Sequence, residues 1–260
     1  MALTFNWMIL RSFLAEGLCT SLFAYAVYSV VTGVNITPVA DGVGNIAVTL
    51  TIALTSVAII YSFMDITIAH FNPAITLAAI VTGKLPIWMG LGYIVMQCAG
   101  AMLGSAAMLL TKPGPSSELL GYTRSTIAAD ANIGQAILTE MLLTGILTYV
   151  AFSVAINVFN PPTQVKIEVP DEAEDNDKLR VVTSQAPNRS AFAPIAIGFT
   201  LGFLSLLGIG SSGGVFNPAI TLPGVLFSGV WKDCWVYWVG QFVGGIVGAL
   251  LHVTIFFKSV

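Results

Sequence analysis

The seven residues FNPAITL stand at positions 71–77 of this 260-residue chain and again at 216–222, a shift of 145. Other landmarks repeat with them. Gln97, Gly100 and Gly104 return as Gln241, Gly244 and Gly248, and Glu16 with Thr20 returns as Glu140 with Thr144. Each half reads as a helix with an inward Glu, a second helix, FNPAITL, and a third helix carrying Q-x-x-G-x-x-x-G. The chain is therefore expected to be a single domain over 1–260, built from two repeats at about 8–112 and 132–258. An outer loop over 113–131 would join them.

Composition fixes the solvent. The chain is 56% hydrophobic and 9% charged, against about 25% charged for a soluble domain. Too few polar residues remain to cover a surface in water. A bilayer-spanning helix needs roughly 20 mostly apolar residues, and six windows qualify: about 10–31, 47–66, 86–110, 133–155, 193–211 and 233–257. The first window begins without a basic n-region or small-residue cleavage site, which reads as an anchor rather than a leader peptide.

Three spans per half is an odd number, so the second half must cross the membrane in the opposite sense, with any shared site at the midplane. With both termini cytoplasmic, Arg11, Lys84, Lys166, Lys178, Arg180, Arg189 and Lys258 fall inside, and Lys112, Arg124 and Lys232 outside. That asymmetry agrees with the positive-inside rule. The hydrophilic segment 158–192 is then a cytoplasmic loop. Its run EVPDEAEDND at 168–177 holds six of the thirteen acids and reads as a solvated linker.

Asn is a strong N-cap and Pro suits the first helical position. Helices should therefore start at Asn72–Pro73 and Asn217–Pro218 and stop near Gly83 and Gly229. At 1.5 Å per residue, eleven or twelve residues cross about half of the hydrocarbon. Both segments must re-enter. Their N-termini would meet at the midplane, each carrying about half a positive charge. That focus opposes cations and protons, while the Asn amides offer donors to a neutral, hydrogen-bonding molecule.

Both NPA boxes (Asn72, Pro73, Ala74 and Asn217, Pro218, Ala219), the AE-x-x-x-T start of the first helix and the six-span order carry a resemblance to the aquaporins. It covers nearly the whole chain. It implies an all-α membrane protein with six transmembrane helices and two re-entrant half-helices in an inverted repeat. It also implies a homotetramer with one pore per subunit, and small-residue faces at Gly198/Gly202 and Gly240/Gly244/Gly248 would suit its close helix packing. Glu16 and Glu140 would be buried acids that accept hydrogen bonds from the re-entrant loops. His70 would be a polar contact on the cytoplasmic side of the pore, and Phe23 an apolar wall near the midplane.

The selectivity filter departs from the family pattern. Water channels of the family carry an aromatic twenty residues before the first Asn and a His twelve before the second. A small residue stands three before the second Asn, and an Arg three after it. The same offsets here give Ile52, Ser205, Gly214 and Ile220. The aromatic, the His and the Arg are absent, so the outer constriction should be wider and more apolar, with a weakened charge barrier. Pro223 follows closely and should alter the local helix geometry. Thr221 and Val225 stand where glycerol conductors carry an Asp and a basic residue, and Tyr237–Trp238 resembles the water-type aromatic pair, though it also suits an interfacial aromatic belt.

The expected function is a passive water channel with a relaxed, apolar outer filter that excludes protons and ions. The alternative is a broader conduit for glycerol, urea, ammonia or hydrogen peroxide. A secondary transporter would need a titratable or cation-coordinating group at the midplane, where two neutral Asn stand. A non-conducting junctional protein would need a pore blocked by side chains. No nucleophile–base or metal constellation appears, Cys19, Cys98 and Cys234 have no metal-type spacing, and neither a cofactor nor a nucleic acid is implied. The lipid bilayer, of the plasma membrane or of an organelle, is the expected surrounding. Orientation is testable at the sequon Asn188-Arg189-Ser190: expressed in a glycosylating cell, it should carry no glycan, and a glycan there would turn the topology upside down.

Overall fold

The computed structural model describes residues 7–37, 39–40, 42–157 and 189–257. The acidic run, Asn188, Lys166, Lys178, Arg180 and Lys258 lie outside them. Among the described residues there is no strand. The first half contains α1 (Trp7–Ile36), α2 (Val43–Phe63), the short α3 (Pro73–Val81) and α4 (Ile87–Thr111). A further short helix, α5 (Ser116–Thr123), lies in the connection that the sequence presents as a loop. The second half contains α6 (Ile133–Ala151), α7 (Ala193–Leu207), the short α8 (Pro218–Ser228) and α9 (Cys234–Leu250).

Six of these helices are long and apolar enough to cross a membrane. The sequence windows locate all six and misjudge some ends, most at the first helix, which runs from Trp7 to Ile36 instead of 10–31. Apolarity marks where a helix is lipid-buried, whereas hydrogen bonding decides where it stops. The last turns of α6 and α9 widen into π-helix at Phe152–Ile156 and Leu251–Phe256. There Asn157 N–H reaches the Phe152 carbonyl at 2.9 Å, and Phe257 N–H reaches that of His252 at 2.8 Å.

The two halves pack alike. α1 lies along α4 and α6 along α9, while α2 against α7 joins the halves. Each short helix reaches across to the other half, α3 onto α9 and α8 onto α4. Glycine sets the closest approaches. A Cβ on Gly100 would sit 2.1 Å from the Gly17 carbonyl oxygen, and one on Gly248 would sit 2.1 Å from that of Gly145. Gly244 lies equally close to Met141, and Gly198 and Gly202 face Ala53 on α2. These small-residue stripes thus serve packing within one chain.

The half-helices have nine and eleven residues, about 14 and 17 Å at 1.5 Å per residue, so neither spans the bilayer. Pro223 does not break α8, which continues to Ser228 before Gly229 ends it in the left-handed conformation (φ 70°).

Gly248→Val tests the packing. It forces a side chain into the Gly145 backbone and should cost about 1–3 kcal/mol, read as a lower thermal midpoint in detergent. Gly121→Ala, which meets nothing within 4 Å, should leave the midpoint unchanged.

Candidate functional site

The chain leading into each half-helix is irregular and buried, so its N–H groups need acceptors. Glu16 supplies them for the first. One carboxylate oxygen accepts from His70 N–H at 3.0 Å and from the Thr67 hydroxyl. The other accepts from Phe71 N–H at 2.9 Å and from Gln97 Nε2 at 2.8 Å. Glu140 repeats the arrangement with Val215 N–H at 3.0 Å, Ser212 Oγ at 2.6 Å, Phe216 N–H at 2.7 Å and Gln241 Nε2 at 2.7 Å. Both acids are fully buried. The clamp also holds strained backbone, because Phe71 (φ 31°) and Phe216 (φ 38°) occupy the left-handed region that non-glycine residues rarely visit.

Each clamp delivers an Asn to the midline. Asn72 Oδ1 caps α3 by accepting from Ala74 N–H at 2.9 Å, and Asn217 Oδ1 caps α8 through Ala219 N–H at 3.0 Å. The amide nitrogens cross over. Asn72 Nδ2 donates to the Phe216 carbonyl at 2.8 Å, and Asn217 Nδ2 donates to the Phe71 carbonyl at 2.9 Å. An amide nitrogen carries two hydrogens, so one donor on each Asn remains outside these bonds. Pro73 and Pro218 begin the helices with no N–H to satisfy, and Ala74 and Ala219 are fully buried behind them.

Two cavities flank this midline. The larger, about 440 Å³, is lined by Phe23, Ile52, Ser205, Gly214, Phe216 and Ile220, among others, and by the connection after α5. The smaller, about 20 Å³, is walled by His70, Phe71, Asn72, Ile75, Leu147 and Leu201 with their neighbours. One water needs about 10–15 Å³ of such space. The smaller cavity therefore holds one water or two, while the larger holds many. Between them the rings of Phe23 and Phe71 stand 5.1 Å apart.

All four residues reached by the filter offsets thus line one cavity. Gly214 adopts φ 69°, and a Cβ there would meet the backbone of Leu204, Ser205 and Gly208 at 3.2 Å, so it presents bare backbone. His70 lines the smaller cavity. Its Nδ1 pairs with Thr76 Oγ1 at 3.1 Å, whereas its buried Nε2 meets no protein partner among the described residues. Val215 is its counterpart in the second half, so the run of identical residues begins only after this pair.

Several contributors escape motif reading. Thr67 and Ser212 complete the carboxylate clamps; they stand 145 residues apart, the same shift as FNPAITL, but as different residue types. Tyr28 donates to the Ile220 carbonyl at 2.5 Å, and nothing in the sequence links the two. Tyr237 is fully buried and donates to the Ser212 carbonyl at 3.0 Å. It is a strut for the second re-entrant loop and not part of an interfacial belt.

Comparison with known proteins accords with this geometry. The description "Major intrinsic protein" matches residues 4–164 and 180–252. This chain belongs to the major intrinsic protein family. It is 41% identical over 252 residues to an aquaporin of Encephalitozoon hellem, covering 96% of this chain and 95% of that one. It is 42% identical over 250 residues to an aquaporin of Vairimorpha ceranae, covering 96% of both. Among solved structures, the aquaglyceroporin from Plasmodium falciparum shares the fold with a TM-score of 0.73 at 18% identity, covering 95% of this chain and 96% of that one. The protein is a multi-pass membrane channel of this family and not an enzyme.

The clamp can be weakened by one atom. In Glu140→Gln an amide NH₂ replaces one acceptor oxygen and must confront a buried donor, at about 1–3 kcal/mol. The thermal midpoint in detergent should fall, and the isosteric change leaves no cavity to explain it.

Proposed function

We propose that the protein is a passive water channel whose outer mouth is wide and whose selection by size falls to the midplane. The observation that carries this reading is the contrast between the two cavities on either side of paired Asn amides. A cavity of about 440 Å³ narrows past Phe23 and Phe71 to one of about 20 Å³. The spare Asn72 donor and His70 Nε2 line that narrow stretch and can bond a single file of water. Cations and protons are opposed there, because the N-termini of α3 and α8 both present partial positive charge.

The apolar mouth has Ile52 and Ile220 where a strict water filter carries an aromatic and an Arg. A second reading, conduction of small neutral solutes such as glycerol, urea, ammonia or hydrogen peroxide, draws support from that relaxed mouth alone. In both readings the working unit is a homotetramer with one pore per subunit, inserted with its termini cytoplasmic and α5 outside.

Stopped-flow light scattering on proteoliposomes tests this directly. Water should cross with a low activation energy and without proton current, faster than glycerol or urea. A folded protein that passes no more water than bare lipid sinks the reading. Ile220→Arg then tests the mouth: it should lower glycerol-to-water and urea-to-water permeability ratios while water flow holds or falls modestly. The buried cation needs carbonyls or water for its five donors, so yield of assembled protein is the control. Unchanged ratios in a well-assembled variant would mean that position 220 does not stand in the outer constriction.

A further inference from the structure

The larger cavity is lined by many hydroxyl and amide groups, but its ionised lining is sparse. Among its described lining residues only Arg124 is a cation, and no carboxylate lines it. Tyr122 also lines it, but donates its hydroxyl to the Glu118 carboxylate at 2.7 Å, which pushes that phenol above its usual range and keeps it neutral. Arg124 is held firmly. Its N–H reaches the Leu120 carbonyl at 3.0 Å, and four residues later Ala128 N–H binds the Ser211 carbonyl of the second re-entrant loop at 2.8 Å.

The seat of Arg124 is specific. A Cβ on Gly224 would lie 3.0 Å from Arg124 Cα and 3.4 and 3.5 Å from its Cβ and Cγ. Glycine at that point lets the connection lie directly on α8. Gly224 is four residues after Ile220, which places both on one face of α8, a turn apart. Arg124 thus sits one turn above the position where the offset pattern asks for an Arg and finds Ile.

We infer that Arg124 is the charge-selecting residue of this channel, a cation supplied by the connecting segment that repels cations from the larger cavity in the absence of one at position 220. A fixed charge in a cavity with low-dielectric walls focuses its potential on whatever enters. Neutral solutes are unaffected by that potential, so water passes. The inference rests on the channel reading above.

The potential can be read without any flow. Thr49 lines the same cavity, and Thr49→Cys places a thiol there; Cys19 and Cys234 are buried, and Cys98 is half-buried, so the protein without Thr49→Cys supplies the background. Modification rates are measured with anionic ethylsulfonate and cationic ethyltrimethylammonium methanethiosulfonates. The anionic-to-cationic rate ratio should exceed that of free cysteine. Arg124→Met, similar in length and uncharged, should lower it about tenfold, the size expected for one charge in the same partly screened cavity. Arg124→Lys should hold it within about twofold. One ratio shared by all three proteins overturns the inference.

Proteoliposomes supply the second reading. Guanidinium and urea have nearly the same shape and differ in charge, and their permeability ratio should rise in Arg124→Met and not in Arg124→Lys. A ratio that stays put while the thiol rates shift also overturns charge selection by Arg124. Water flow through the unaltered protein separates the two ideas: if water crosses and Arg124→Met changes nothing, only this inference falls, and if nothing crosses, both fall. Should Arg124→Met fail to assemble, the Thr49→Cys protein decides alone. Its rate ratio must drop toward that of free cysteine as salt shortens the Debye length, and a ratio indifferent to salt overturns the inference.

Discussion

A backbone that leaves its helix inside hydrocarbon must find an acceptor for each freed N–H, at a cost of several kcal/mol for every group left bare. Glu16 and Glu140 meet that demand by accepting four hydrogen bonds each, two of them from consecutive backbone amides. A neutral side chain of similar size could not, because only an ionised carboxylate offers acceptors alone. Left-handed Phe71 and Phe216 become tolerable under that clamp, and the turn they make aims Asn72 and Asn217 at each other. The midline therefore depends on two acids that line neither cavity.

From the clamps the rest follows in order. Fixed loops give short helices that start at the midline, and their dipoles converge there. Gln97 and Gln241 lock the same carboxylates to α4 and α9, so the lining of the narrow stretch is tied to the outer wall of the bundle. Gly100, Gly244 and Gly248, where a Cβ would come within 2.1 Å of neighbouring backbone, keep that wall tight. One divergence between the halves falls beside the narrow stretch, at His70 against Val215.

Much of this was legible in the sequence because it was written twice. The six spans, the two half-helices and the Glu–Gln–Asn landmarks repeat in the same order, at a shift of 124 for Glu16 and of 144 to 145 for Gln97 and Asn72, and ordered repetition lifts them above chance. Helix ends were less legible, since apolar composition does not report caps, π-turns or the helix at Ser116–Thr123. The partners Thr67, Ser212 and Tyr28 stayed hidden because a hydroxyl can be supplied by several residue types at many positions. The stop expected near Gly229 is where α8 ends, with Pro223 inside the helix. The four offset positions came together in one cavity, yet sequence offsets say nothing of how wide a cavity is or that Gly224 would draw Arg124 to its rim.

The crossed amide bonds have a consequence for biosynthesis. Asn72 Nδ2 needs the Phe216 carbonyl, and Asn217 Nδ2 needs that of Phe71. As the chain emerges from the ribosome, Asn72 is made 144 residues before Phe216. Neither half can close its own midline, and contacts of such long sequence separation form slowly. The first re-entrant segment, though Glu16 and Gln97 can already hold it, keeps its Asn72 amide unpaired with Phe216 until the second arrives. The midline of the conduit can close only after Phe216 and Asn217 are made, and a chain halted before them lacks both crossed amide bonds.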